Sequence, residues 1–549
     1  MNFKISKYNI NPQSITFRER SNSSLSFKSE QPQNQSTTAV IPIYGDSPIR
    51  TNPAQLSLFA LHDFHGQDIK MERAYTISEK FDNNKFIEEA EFFNEEAPID
   101  KLKLASGDMF LGENKKELQV VNEFLNIAGI MANAIGNHEC DIKIEEFADI
   151  VEDRNYKFLA ANMHPDKNSA MNSVLSNSFI IESNGNKYGI IGLAPVDIEA
   201  HMKRPEEVRP FNVSDMEDTL EDLQKEVDSI KKQGVNKIIL LSHLGFDKEQ
   251  EVAQKISGVD IILGGHTHHM LEEVKYGENL FLSPQGEPVL IIQVGRDGKY
   301  VALPNFQFND LGQITKIQYN FVKTEDYERS LTAKTAFENI LGKPDVVGMA
   351  GYVENPPEDI YAYENPHCDF ILDCMRKELD TDIAIMNSAN IRGRFFEGEI
   401  NTRDLAQISP FGNKVTIVRL TEEELVDSLN NMIEKSMENP AHRPGILQVS
   451  GLRYEFSKDE EELTYLALVD KNGNEIPIDL DEPRENKFYT LACDDYCINS
   501  NKAGMDLKHR YEDAIAKYDF DKDKVVEQYL RKQSEPITIK SDGRIKMVD

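Results

Sequence analysis

Five times in the first half of this 549-residue chain, an apolar run ends on residues able to bind a metal. The fragments are Asp63-Phe64-His65, Gly107-Asp108, Gly136-Asn137-His138-Glu139, Ser242-His243 and Gly265-His266-Thr267-His268, and Asp141 trails the third. The runs before them read as strands: Leu56 to Leu61, Leu102 to Ala105, Met131 to Ile135, Lys237 to Leu241 and Val259 to Leu263. Leu220, Leu223, Val227 and Ile230 recur at helical spacing, and Gly234 offers a stop. Strands alternating with amphipathic helices predict an α/β domain. In such sheets ligand sites collect at the carboxyl ends of strands, so fragments far apart in sequence converge.

The residue types set the chemistry. Asp63 and His65 stand two apart, as do His266 and His268. If strand conformation persists through each pair, both of its side chains point the same way. Carboxylates with imidazoles suit Mn, Zn, Fe or Co, with Mg also admitted and Ca less so. Asp108 follows Gly107, where the backbone turns freely, and its two oxygens make it the candidate bridge between two ions. Asn137 adds a neutral ligand, which keeps the cluster positive. His243, His266 and His268 complete the set. Taken singly, an Asp-x-His is usually a satisfied surface pair and a Gly-Asp is often only a turn. Five such fragments in order, each after a strand, point to a two-metal centre, an arrangement common in phosphate-ester chemistry. His138 is the candidate general acid, oriented by Asp141 three residues on. His62 and His269 flank the motifs and read as packing or supporting residues.

Composition excludes several roles. Sixty-one basic against 94 acidic residues give a net charge of −33, which repels nucleic-acid backbones and anionic membranes. No apolar run approaches the length of a bilayer span, so stable membrane insertion is not expected. Cys140, Cys368, Cys374, Cys493 and Cys497 read mostly as free thiols, with a local Cys493–Cys497 link as the alternative. Asp459-Glu460-Glu461-Glu462 reads as a solvated turn or hairpin tip.

Residues 1–52, rich in Ser, Asn, Gln and Pro, are expected to form a disordered tail. The α/β domain is expected over 53–325 and a connecting helix over 326–350. A second domain then spans 351–549. Ile383 to Met386 and Val415 to Leu420 read as its strands, and Thr421 with Glu424 reads as a capping box opening a helix.

The metal fragments resemble the calcineurin-like metallophosphoesterase domain. The second half is similar to the C-terminal domain of the 5′-nucleotidase family, on Asn387-Ser388-Ala389-Asn390-Ile391-Arg392, Gly398-Glu399-Ile400, Asp404-Leu405, Pro410-Phe411-Gly412-Asn413 and Val449-Ser450-Gly451-Leu452. The resemblance covers residues from about 53 to 510. It implies a four-layered α-β-β-α catalytic domain, joined by a helix to an α+β substrate-binding domain whose rotation brings bound nucleotide to the metals. It implies one metal on Asp63, His65, Asp108 and His268, and another on Asp108, Asn137, His243 and His266. His138 and Asp141 would be the catalytic pair. Asn387 and Arg392 would bind nucleotide, Phe411 would stack on the base, and Tyr496 and Asp506 would complete the pocket.

Three departures from the family's pattern stand out. Ser388-Ala389-Asn390 replaces a glycine-rich run, and Tyr363 stands where an arginine is expected before Glu364, leaving Arg394 and Arg443 as alternative anion-binding groups. Tyr496 is separated by a longer segment from Ala503-Gly504-Met505-Asp506. The function implied is removal of phosphate from nucleotides by a dimetal phosphohydrolase. Alternatives with the same cluster are a 2′,3′-cyclic nucleotide phosphodiesterase and a nucleotide-sugar or dinucleotide pyrophosphatase. Loss of a ligand or of the histidine would have marked a decayed nucleotide-binding protein, and none is missing. The partner expected is a small phosphate ester; oligomeric state is not legible. Met1 to Lys7 lack the apolar core of a secretory signal, which favours the cytoplasm, although the family is often exported.

Overall fold

The computed structural model describes all residues except 1–15, 19–34, 41–53, 88–91, 95–96, 202–209, 358, 410, 439–444, 500–504, 506 and 549. The chain divides into two units, Met1–Gly342 and Lys343–Asp549.

In the first unit, Ala54–Leu61, Ile99–Ala105, Ala132–Ala134 and Lys157–Leu159 run parallel at the heart of a ten-stranded sheet. A six-stranded sheet holds Asn186–Leu193, Lys237–Ser242, Ile261–Leu263 and Pro288–Ile292, again parallel. These strands are near-continuous apolar runs because both of their faces are covered. Alternation sorts the side chains. Leu58, Ala60, Leu102 and Leu104 meet Ile190, Ile239, Leu241 and Ile261 in one core between the sheets. Phe59 and Leu61 point the other way, onto Met71, Phe81 and Phe124 of the helices Asp68–Asp82 and Lys115–Ile127. Ile238 and Leu240 face Leu223, Val227 and Ile230 of the helix Met216–Lys231. The result is the four-layered α-β-β-α arrangement.

The five expected strands form, with ends shifted by up to three residues. The helix carrying Leu220 to Ile230 ends as expected, with Gly234 at φ 80°. The helix Leu331–Leu341 packs Ala333 and Phe337 into the first unit's core, so it is not a bare connector. The strand Val346–Val353 already pairs within the second unit, so the segment 326–350 is shared between the two units. Two stretches of the expected tail, Thr16–Arg18 and Gln35–Val40, are strands. The second pairs antiparallel with Ile314–Lys323 and gives that strand's free edge a partner.

The second unit has a five-stranded sheet in the order Leu447–Ser450, Ile383–Asn387, Phe488–Asp494, Lys414–Thr421, Ala516–Asp521. Ile383, Ile385, Val418 and Leu420 pack on Leu425, Leu429 and Ile433 of the helix Glu422–Glu438. Ala384, Met386 and Ala492 pack on Leu372 and Val525 behind it. The capping box is present: Thr421 N donates to Glu424 Oε2 at 2.8 Å, and Glu424 N to Thr421 Oγ1 at 3.2 Å. The acidic run turns between the antiparallel strands Leu452–Ser457 and Glu462–Val469. All five cysteines are buried, and Cys368, Cys374, Cys493 and Cys497 are free thiols. No helix among the described residues is long and apolar enough to cross a membrane.

Candidate active site

At the carboxyl ends of the first unit's strands, the candidate ligands fall into three groups. Asp63, His65 and His268 form one, Asp108, His243 and His266 a second, and His65, Asp108 and His138 a third. In each, ligand atoms lie within 4.8 Å of one another. The first two groups divide the residues along the same line as the two expected ligand sets. Asn137 joins the second through Oδ1, 3.0 Å from His266 Nδ1.

The backbone that aims these side chains is not strand. Asp63, His65, Asp108, His266 and His268 all have positive φ, between 49° and 73°. They make up half of the ten non-glycine residues with that conformation among the described residues. The condition under which strand geometry would align Asp63 with His65, and His266 with His268, is therefore not met. Each strand ends before the motif, and left-handed residues turn the side chains inward. Such conformations are costly for side-chain-bearing residues and cluster at functional sites. The neighbouring glycines leave no room for a methyl group. A Cβ on Gly136 would sit 2.2 Å from Asp108 Oδ1, and one on Gly107 would sit 2.6 Å from His243 Nδ1.

The donor set suits divalent ions. His65 Nε2 and His243 Nε2 are buried without a hydrogen bond. The former faces Asp63 Oδ1 at 3.8 Å and Asp108 Oδ2 at 3.7 Å. His243 Nε2 lies 3.0 Å from Asp108 Oδ2, and His268 Nε2 lies 3.4 Å from Asp63 Oδ1. Burial pulls the His65 and His243 imidazoles down, but the carboxylates outweigh it. Asp108 and Asp297 lift His65 to about 9, while Asp108 and Asp63 lift His243 to about 10. Burial wins at His268, which falls to about 4 despite Asp63. Burial would raise Asp63 and Asp108, yet the surrounding imidazoles hold both well below the usual carboxylate range. The field of Asp63 and Asp108 therefore favours positive charge beside them, which a divalent ion held by these residues would supply.

A supporting shell fixes the ligands. Asp297 Oδ1 holds His65 Nδ1 at 2.9 Å, and the carbonyl of Ser106 holds His243 Nδ1 at 2.8 Å. His62 accepts from Val294 N at Nε2, so its Nδ1 carries the proton and donates to Asp63 Oδ2 at 2.8 Å. The Glu139 carboxylate receives the backbone N–H groups of Asp108, Met109 and Gly136 at 2.9–3.1 Å, which sets the loop carrying Asp108. Burial and the Asp108 charge push Glu139 up to about 7. Glu249 receives the N–H of Gly265 in the same manner, and Gln293 Nε2 donates to the Gly265 carbonyl. His138 Nδ1 lies 2.9 Å from Asp141 Oδ2, and its Nε2 is 4.0 Å from Asp108 Oδ2. Of these supports, Glu139 was visible inside its motif. Asp297, 232 residues from His65, carries no sequence signal beyond a following glycine.

In the second unit, the expected substrate residue Asn387 ends a strand of the five-stranded sheet. Ile383–Asn387 and Phe488–Asp494 run parallel, and Lys414–Thr421 antiparallel to the latter, so Asn387, Lys414 and Asp494 share one edge of the sheet. Asn387 is buried. The Arg392 guanidinium lies 5.2 Å from the Phe411 ring centroid, which brings those two together. Phe411 is 40% exposed and Tyr496 43%, more than core packing would leave. Tyr363 is also exposed, and Arg394 is bonded to Asn355 Oδ1 at 2.7 Å. Pro410, Arg443 and Asp506 lie outside the described residues.

This fold and this side-chain set define a metal-dependent phosphoester hydrolase, and residues 62–270 match the calcineurin-like phosphoesterase family. Residues 350–509 match the 5′-nucleotidase C-terminal domain, so the chain is a two-domain metallophosphoesterase built from these two parts. It is 24% identical over 442 residues to a probable 5′-nucleotidase of Treponema pallidum, spanning 68% of this chain and 72% of that protein. It is 27% identical over 488 residues to the 5′-nucleotidase of Mus musculus, spanning 81% of each. The crystal structure of a 5′-nucleotidase precursor from Thermus thermophilus shares the fold. It matches with a TM-score of 0.62 and 23% identity, over 90% of this chain and 99% of that one.

Proposed function

We propose that the chain hydrolyses the phosphate ester of nucleotides at a two-metal centre. The observation that carries this reading is the convergence of Asp63, His65, Asp108, His243, His266 and His268 into groups of ligand atoms within 4.8 Å. Asp63, His65, Asp108 and His268 would hold one ion, and Asp108, Asn137, His243 and His266 the other, with Asp108 common to both sets. Divalent ions bound there supply Lewis-acid polarisation of the phosphoryl group. The chain's own residues do the rest. His62 and Asp297 hold Asp63 and His65 in orientation. Asp141 holds the His138 imidazole by Nδ1, so its Nε2 faces the centre and donates a proton toward the phosphoryl or leaving oxygen.

The nucleotide assignment rests on the second unit, where Asn387 and Arg392 bind phosphate or sugar and Phe411 and Tyr496 offer flat rings to a base. Similarity to proteins named 5′-nucleotidase supports it. The test is phosphate release after chelation, with Mn, Zn, Co or Mg restored singly. The panel is AMP, UMP, 2′,3′-cyclic AMP, UDP-glucose and an aryl phosphate. Metal-dependent release from the monophosphates is the expected result. Activity on the aryl phosphate alone would keep the metal centre and remove the nucleotide assignment.

A further inference from the structure

A buried cation sits where a cation is unfavourable. Lys522 opens the helix Lys522–Leu530, whose N-terminus already carries positive dipole charge, and its side chain is 2% exposed. It donates to Asp494 Oδ2 at 3.2 Å and to Asn390 Oδ1 at 3.1 Å. Asn390 in turn donates to Asp494 Oδ2, and the Ser409 hydroxyl donates to Asn390 Oδ1 at 2.8 Å. Asp494 Oδ1 accepts from Cys497 N at 2.8 Å.

Asn390, Ser409 and Asp494 each border a segment assigned to the substrate. Asn390 lies between Asn387 and Arg392, and Ser409 stands two residues before Phe411. Asp494 stands two residues before Tyr496, in the turn that its own carboxylate caps. Lys522 follows the strand Ala516–Asp521, which pairs antiparallel with Lys414–Thr421 and ends at the same sheet edge. One ammonium group therefore lies at the junction of three loops. A buried ion pair is weak evidence for stability, since packed apolar groups do as well or better. Its value lies in fixing one arrangement. Asn390 is also the third residue of the Ser388-Ala389-Asn390 run that replaces glycines. The less permissive loop thus gains a side-chain anchor that glycine lacks.

We propose that Lys522, through Asp494, Asn390 and Ser409, is a positioning residue that holds the phosphate-and-sugar loop and the two ring-bearing loops in register for substrates carrying a flat base. This inference rests on the nucleotide reading above. The test compares Lys522→Met and Ser409→Ala in the full chain. KM and kcat are measured separately for AMP and for an aryl phosphate, alongside the melting temperature. Ser409→Ala removes one neutral hydrogen bond and keeps the ion pair, so it decides the matter even where Lys522→Met does not fold.

The expected result is a rise in nucleotide KM of about fivefold for Ser409→Ala and about tenfold or more for Lys522→Met, with a smaller loss of aryl phosphate kcat/KM, since that substrate has no sugar or base to position. An unchanged nucleotide KM in the folded variants overturns the positioning role, as does an equal loss on the aryl phosphate. Wild-type protein that hydrolyses the aryl phosphate but no nucleotide overturns instead the reading on which the role rests.

Discussion

Replacing Asp297 with alanine removes the acceptor that holds His65 Nδ1 at 2.9 Å, with side chains only 4% and 8% exposed. Without it, the imidazole is free to rotate its Nε2 away from Asp63 and Asp108. A hydrogen bond to a charged group contributes roughly 1.5–3 kcal/mol, more when buried than when solvated. Converted to binding, that is a loss of about 10-fold to 150-fold in metal affinity, in line with the effect of removing other supporting groups around metal ligands. Asp297→Asn keeps an acceptor oxygen but drops the charge, so its loss falls at the small end of that range. The assay is calorimetric titration of chelator-treated protein with Mn or Zn, which needs no substrate. An Asp297→Ala protein that keeps every metal affinity within about twofold would refute the reasoning, since the supporting bond would then contribute nothing to holding the His65 imidazole.

Other expectations follow from the same geometry. Asp108→Ala removes the carboxylate that faces His65, His138 and His243, so metal analysis should find both ions lost and turnover gone; two retained ions with normal turnover would exclude the bridge. Phe411→Ala should weaken nucleotide substrates by about tenfold or more, the worth of one stacked base, while sparing an aryl phosphate. Equal losses on both would make Phe411 a packing residue. Asp369 in the second unit is pushed up to about 9 by burial, with Arg544 opposing and Glu364 and Asp373 reinforcing. Its native pKa lies above the unfolded value of about 3.9, so its contribution is fully present below that pH and is lost as pH rises toward 9. Asp369→Asn, which does not titrate, should therefore gain in melting temperature over wild type as pH is raised from 5 to 9. A constant difference would show that Asp369 does not hold its proton.

The strands and the metal fragments were legible because apolar runs and ligand residues are local signals. Thr421 with Glu424 announced a helix start for the same reason. What escaped was backbone chirality and long-range support. Spacing left open a strand running on through Asp63 and His65, whereas Leu61 ends it and left-handed residues turn the chain. Asp297 and Lys522 are an acid and a lysine among many, and only folding sets one beside His65 and the other beside Asp494. Gln35–Val40 read as tail because a strand that completes another strand's edge needs no apolar pattern of its own.

The left-handed backbone at five candidate ligand positions also limits how this centre can change through mutation. Asn, Asp and His tolerate that conformation far better than branched or bulky residues do. At Asp63, His65, Asp108, His266 and His268, the side chains the backbone accepts are thus largely the ones that bind metals. Glutamate or cysteine, chemically able to ligate, would meet a conformational barrier first. Drift at these sites is channelled into exchanges among Asp, Asn and His, which alter charge and metal preference while leaving the loops' shape intact.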